Sequence, residues 1–295
     1  MKGGRVDLHI HSNKSSDGDY SPRDIVLMAK KKALAAIAIA DHDSVDAYPE
    51  ALEIGVKEGV EVIPNIELTT VFDDREFHLL LPFLEWNTRT VKDIIAEVYH
   101  RRCQEAQARI KKLQILGFDV TWDEVLGECE GFPPLGVTIA KILLEKAKKN
   151  GIPVLNKYLT EKNWPYAPYL FYQDYFMEGK SAFVPKKNIH LFEVMKLAPN
   201  VGAVPVLAHP GANFQRVQKE DLIQLKKKGL EGLEVYTSYH DSKKTAFYLN
   251  LARELDLVPT AGSDFHGEIK PFVPFGFLKE GSYDMVRKLR KRRRG

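Results

Sequence analysis

The chain has 295 residues, 44% hydrophobic and 28% charged, with a formal net charge of +3. That length suits one large domain or a barrel carrying an insertion, and the composition is that of a globular protein; no apolar run approaches the roughly 18 residues of a membrane span. Seven basic side chains crowd into residues 287–295, leaving 36 basic against 40 acidic residues elsewhere; such a tail reads either as a solvated terminal helix or as a contact with nucleic-acid phosphates. Cys103 and Cys129 form no CxxC motif, and no secretory n-region or h-region opens the chain, so reduced thiols in a cytoplasmic protein are expected.

In chain order, Arg5–Ile10 reads as a strand that runs into His11. Residues two apart on a strand share a face, so His9 and His11 present two imidazoles side by side. A loop holding Asp17 and Asp19 follows, and then Ser21, Pro22 and Asp24 open a helix expected to reach about Leu34. Ala36–Ile39 reads as a buried strand ending at Asp41-His42-Asp43, and a helix over about Ala47–Glu58 is closed by Gly59. Strands are expected at 60–63, 66–71 and 77–84, and the alternation implies a parallel sheet with crossover helices.

From about Val91 the periodicity becomes helical. Thr121-Trp122-Asp123-Glu124 is a capping box, Val137–Lys149 a further helix, and Tyr166–Phe176 an aromatic stretch. These features predict a mainly helical insertion or cap over 91–200, with the aromatics packed inside it or serving as a base-stacking wall. The strand–helix rhythm returns at Val204–Ala208 and continues through helix 219–228, strand Leu233–Tyr236, helix 242–255 and strand Val258–Ser263. The expected domains are therefore 1–90 with 201–295, and 91–200.

Six of the nine histidines stand at or beside strand ends: His9, His11, His42, His78, His209 and His266. Asp17, Glu67 and Asp264 join them, with Asp19 a competitor for the place of Asp17. Imidazole with carboxylate and no sulfur suits zinc, manganese or iron(II). Nine donors are enough for two or three divalent ions, and Glu67 is suited to bridge two of them. Paired metals generate hydroxide at neutral pH and clamp an in-line phosphoryl displacement. Asp43, rather than Asp41, is expected to orient a ligand or handle a proton, and His240 to bind phosphate or protonate the leaving group. No nucleophile elbow, P-loop, dinucleotide fingerprint or HExxH motif offers rival machinery.

Asp7-Leu8-His9-Ile10-His11-Ser12, Asp41-His42-Asp43, Ile66-Glu67-Leu68, His78, His209-Pro210-Gly211 and Asp264-Phe265-His266-Gly267 together resemble the PHP (polymerase and histidinol phosphatase) family of metal-dependent phosphoesterases. The resemblance covers about residues 5–84 and 204–278. It implies an α/β fold, a distorted seven-stranded (β/α)7 barrel with a trinuclear site at the C-terminal strand ends. It would give one ion to His9, His11, Glu67 and Asp264, a second to Glu67, His78 and His209, and a third to Asp17, His42 and His266. Within the family the chain looks most like a stand-alone bacterial branch that acts on nucleoside 3′,5′-bisphosphates and on RNA 5′ ends. That branch carries Arg-Pro-His in its insertion, where this chain reads Phe132–Thr138 without charge. Arg101, Arg102 and Arg216 are the alternatives for a phosphate ligand, beside the plainer reading of solvated arginines. The expected function is hydrolysis of a phosphate ester by metal-held hydroxide on a nucleotide or oligonucleotide end. The alternatives are a histidinol-phosphate-type metabolite phosphatase and a non-catalytic metal-bound module that binds nucleic acid or protein.

Overall fold

The computed structural model describes residues 3–293, apart from Glu130, Lys186, Phe214, Arg216 and the side chain of Ile269. The strands are β1 Arg5–Ile10, β2 Leu34–Ile39, β3 Glu61–Val62, β4 Glu67–Phe72, β5 Arg75–Leu80, β6 Ile189–His190, β7 Val206–Leu207, β8 Gly232–Tyr236 and β9 Val258–Ala261. The α-helices are α1 Pro22–Lys31, α2 Tyr48–Glu58, α3 Arg89–Ile115, α4 Trp122–Cys129, α5 Gly136–Asn150, α6 Ala167–Tyr175, α7 Leu191–Leu197, α8 Lys219–Lys227, α9 Ser242–Glu254 and α10 Tyr283–Arg290. The chain divides into two compact units, residues 1–95 with 189–295, and residues 96–188. No helix among the described residues is long and apolar enough to cross a membrane.

In the first unit the strands form two sheets, ordered β1-β2-β3 and β6-β4-β5-β7-β8-β9. The fold is α/β, and the ladders close into no single barrel among the described residues. The sheets are joined where the strands end. The His11 amide donates to the Phe265 carbonyl at 2.9 Å and the Asp264 amide to the His9 carbonyl at 2.9 Å, tying the end of β1 to the segment after β9. The Asp43 amide donates to the Glu67 carbonyl at 3.1 Å, tying the residues after β2 to the start of β4. These splices bring the histidine-bearing strand ends to one place.

Two expectations about this unit change. The first helix stops at Lys31, because Ala33 takes φ +53° and sends Leu34 into β2. The sheet is also not wholly parallel, since β5 runs antiparallel to both β4 and β7. Its hairpin turns on Asp73 and Asp74, both left-handed with φ of +52° and +55°. Such a two-residue turn matches the strand twist, and aspartate tolerates that conformation better than most residues. Here hydrophobic periodicity marks strands without marking their direction.

The basic tail is held against the body. Arg290 pairs with Glu61 at 2.6 Å, Arg292 with Asp256 at 2.6 Å, and Arg293 donates to the Gly202 carbonyl at 2.9 Å. Beneath them α10 buries Met285, Val286 and Leu289. The expected nucleic-acid contact finds no support here, because these arginines already face the protein's own carboxylates and carbonyls. Arg294 lies outside the described residues. Leu289→Ala is expected to cost about 2–5 kcal/mol of stability through the cavity it leaves. Arg292→Ala is expected to stay within about 1 kcal/mol, because exposed ion pairs contribute little. Urea unfolding measures both; an equal effect of the two substitutions would contradict docking by the apolar face.

The second unit is helical around its own core. Leu113, Val125, Ile139, Leu143, Leu155, Phe171 and Phe176 are buried together. The Thr121 amide donates to Glu124 Oε2 at 2.9 Å, forming the expected cap of α4. The aromatic stretch divides: Phe171 and Phe176 belong to the core, whereas Tyr166 and Tyr169 face solvent.

Candidate metal centre

Asp7, His9 and His11 follow one another at two-residue spacing along β1 and just past its end, all buried. Glu67 begins β4 and His78 lies on β5 two positions away across the hairpin, in line with Thr69. His209 follows β7, and Asp264 and His266 follow β9. Asp43, His209 and Asp264 are non-glycine residues held at positive φ, of +54°, +23° and +57°. Each such residue costs on the order of 1–3 kcal/mol and persists where its surroundings over-determine it.

All nine expected donors meet in overlapping groups. His11, Asp17, His42 and His266 form one, His9, Glu67, His209 and Asp264 another, and His42, Glu67 and His78 a third. Glu67 is fully buried at the centre and divides its two oxygens. Oε1 lies 2.9 Å from His78 Nδ1 and 3.0 Å from His209 Nε2. Oε2 lies 3.2 Å from the Nε2 atoms of His9, His11 and His42. Asp264 Oδ1 is 3.1 Å from His11 Nε2 and 3.4 Å from His9 Nε2. Asp17 Oδ2 is 3.3 Å from His266 Nε2 and 3.6 Å from His42 Nε2.

The hydrogen bonds behind these rings test whether a cation fits. His9 Nδ1 lies 3.0 Å from Glu234 Oε1, so it carries the proton and donates it. The Nε2 lone pair of His9 then faces the donor group, 3.1 Å from His11 Nε2. His266 repeats the pattern, with Nδ1 donating to the Asp264 carbonyl at 2.8 Å and Nε2 turned to Asp17. His11 Nδ1, His42 Nδ1 and Glu67 Oε2 are buried without a hydrogen-bond partner. Lone pairs facing lone pairs and carboxylates in a buried site need positive charge between them. Donors about 2.0–2.2 Å from a tetrahedral ion are roughly 3.3–3.6 Å apart, close to the spacing seen. The residues fit divalent metal.

Electrostatics agree with that reading. Burial raises the cost of the Glu67 and Asp264 charges, but the surrounding imidazoles, and Lys270 beside Asp264, hold both carboxyls well below their usual range. Burial lowers His11 and His78, yet the carboxylates facing them outweigh it and raise each to about 9. His42 is pushed down to about 3 by burial and by the neighbouring histidines, against Glu67 and Asp17. Burial lowers His9 too, but the carboxylates around it raise it well above its usual value, so metal loading must displace protons from His9, His11 and His78 but not from His42. Affinity is expected to rise from pH 6 to pH 9, by about tenfold per unit for each proton displaced, with protons released on binding. Calorimetric zinc titrations in two buffers of different ionisation enthalpy read the proton count; zero release at pH 7 would contradict the assignment.

Asp43 accepts the Thr69 amide at 3.4 Å, beside the start of the Glu67 strand. Asp41 instead clamps the loop after β1, accepting the Ser12 amide and hydroxyl at 2.6 Å each. His240, expected to bind phosphate or protonate the leaving group, stands beside the turn that carries His209. Its Nδ1 lies 2.8 Å from the Val235 carbonyl and its Nε2 accepts the Gly211 amide at 2.9 Å. Burial, its largest influence, lowers its pKa. With both nitrogens engaged by backbone, the ring braces the turn that carries His209. Arg101 donates to the Lys187 and Asn188 carbonyls, both at 3.1 Å, and Arg102 lies 3.9 Å from Glu105. Arg216 lies outside the described residues.

Sequence reasoning missed three residues. Glu234 on β8 holds His9 Nδ1 with one oxygen and the His209 amide with the other, at 2.9 Å. Its signal was a lone carboxylate within a buried apolar strand. Tyr239 and Lys270 converge on Asp264 Oδ2, at 2.8 and 2.6 Å; loop residues this far apart carry no periodic signal.

Comparison with known proteins agrees with this geometry. The PHP domain family model matches residues 7–129. The 5′-3′ exoribonuclease Rnm of Salmonella typhimurium is 25% identical over 275 residues, covering 92% of this chain and 87% of that protein. The 3′,5′-nucleoside bisphosphate phosphatase of Chromobacterium violaceum is 24% identical over 265 residues, covering 88% and 87%. A solved structure from Bifidobacterium adolescentis, described as a candidate metal-dependent phosphoesterase, superposes with a TM-score of 0.77 at 27% identity, covering 98% of this chain and 96% of that one. The PHP match covers the first donor motifs and a phosphoesterase likeness spans nearly the whole chain, so this protein carries a PHP domain match and is a metal-dependent phosphoesterase, a hydrolase of phosphate-ester bonds.

Proposed function

We propose that the protein removes phosphate from nucleotides or from oligonucleotide ends, with two to three divalent ions of manganese, zinc or iron held by the nine donors. The observation that carries this reading is the division of Glu67, whose two oxygens face separate sets of imidazoles. His9, His11, Glu67 and Asp264 would hold one ion, Glu67, His78 and His209 a second, and Asp17, His42 and His266 a third. Such ions supply water activation and neutralise charge on the phosphoryl oxygens. The chain's own residues supply the rest. Glu234 fixes the tautomer of His9 and the backbone of His209. His240 holds the His209 turn, and Asp43 braces β4 where Glu67 begins. In this reading the two sheets are the halves of a distorted barrel, its strand ends gathered by the splices at Phe265 and Glu67. We place the protein in the cytoplasm, on its two free thiols, Cys103 and Cys129.

The relatives' substrates motivate the choice of nucleotide ends. The test is hydrolysis by metal-stripped protein reloaded with manganese, zinc, iron(II) or magnesium. The panel holds a nucleoside 3′,5′-bisphosphate, 5′-phosphorylated RNA and DNA, and histidinol phosphate. Turnover of the nucleotide substrates with one metal, lost in His9→Ala, is the expected result. Turnover of histidinol phosphate alone would replace the nucleotide reading.

A further inference from the structure

Lys270 is the one described lysine or arginine paired with a carboxylate of the donor groups. It lies six residues after Asp264, in the loop that leaves the centre, and Tyr239 reaches the same oxygen from the loop after β8. Asp264 thus turns Oδ1 toward His9 and His11 and Oδ2 toward Lys270 and Tyr239. The ammonium also lies 2.9 Å from the Tyr239 hydroxyl and 5.3 Å from the centre of its ring. An ammonium has three N–H groups. Asp264 and Tyr239 account for two, and the side chain remains about a quarter exposed. A third N–H of the ammonium therefore stands at the rim of the centre formed by the nine donors.

From this arrangement, and resting on the phosphoesterase reading above, we infer that Lys270 is a substrate-binding residue that receives a phosphate oxygen of the incoming ester. Asp264 and Tyr239 hold the ammonium before substrate arrives, so little of its rotamer freedom is left to lose on binding. A compact ammonium acts on phosphate as a point charge. The contact is made equally to ground state and transition state, so its loss raises KM more than it lowers kcat.

The test compares wild type with Lys270→Gln, which keeps a donor for Asp264 but removes the charge, and with Lys270→Ala. Inorganic phosphate is the probe, titrated calorimetrically into metal-loaded protein, with metal content measured by elemental analysis. The expected result is phosphate affinity weakened about 10- to 100-fold in both variants, unchanged metal content, and a parallel rise in KM with kcat within a few-fold. Unchanged phosphate affinity would overturn the inference, and so would a loss of metal content that accounts for the whole effect by making Lys270 a support for Asp264. Phosphate binding that depends on Lys270, in a protein that turns over no ester of the panel, would sink the phosphoesterase reading while leaving the anion contact standing.

Discussion

Replacing Glu67 by Gln is expected to lower hydrolysis by at least about 10³-fold and to lose metal from the centre. The substitution keeps the volume of a fully buried side chain. It removes the charge that offsets five surrounding imidazoles and exchanges one carboxylate oxygen for an amide donor. That amide would point hydrogens at either His78 and His209 or at His9, His11 and His42, where lone pairs are needed for a cation. In the metal-free protein the same change removes a carboxylate that raises His11 and His78 to about 9, so both should titrate lower in the variant. Elemental analysis after dialysis against manganese, together with steady-state turnover of a nucleoside 3′,5′-bisphosphate, measures the outcome. Full metal content with turnover within tenfold of wild type would show that Glu67 is not the shared ligand.

The second large effect is expected from a residue with no side chain. Gly262 lies between β9 and Asp264, and a β-carbon there would overlap Glu234 Oε1 and the β-carbon of His9. Neither neighbour can retreat easily. Glu234 is held by His9 and by the His209 amide, and His9 is on β1, which pairs with β2 and accepts the Asp264 amide at the His9 carbonyl. Gly262→Ala is therefore expected to cost about 1–3 kcal/mol of stability by overpacking. It should also weaken metal affinity about 10- to 100-fold, because Glu234 orients His9. Gly127→Ala is the control. Gly127 lies within α4, an added β-carbon there meets nothing within 4 Å, and alanine favours the helix by up to about 1 kcal/mol. Thermal melts of the metal-free proteins and zinc titrations measure both. A Gly262→Ala protein that melts and binds zinc like wild type would remove the close-packing argument.

Much of the centre was legible in the sequence because its signals are local. His-x-His on a strand places two imidazoles on one face by backbone geometry alone; His42, His209 and Asp264 stand where apolar runs stop, and Glu67 stands where a strand begins. Such placement needs only the two-residue period and the habit of sites to gather at or beside the ends of strands, here including the start of β4 at Glu67. Helix boundaries set by chemistry were equally readable, as at the Ser21 and Thr121 caps. The length of the first helix was misjudged, because Ala33 adopts a left-handed conformation that its residue type does not advertise.

What the sequence by itself determined is the kind of donors, their number and the strands that carry them, since residue identity and alternation are properties of a short stretch. Only the tertiary structure decided their partners. Glu234 meets His9 across 225 positions, Lys270 and Tyr239 find the far oxygen of Asp264, and β5 reverses direction on an Asp-Asp turn. His240, which by position resembles a proton donor, has both nitrogens bound to backbone, and the basic tail faces the protein's own acids. The reason is common to all of these. A buried polar atom must find a partner, and which partner it finds depends on how distant segments pack, not on the residues beside it in the chain.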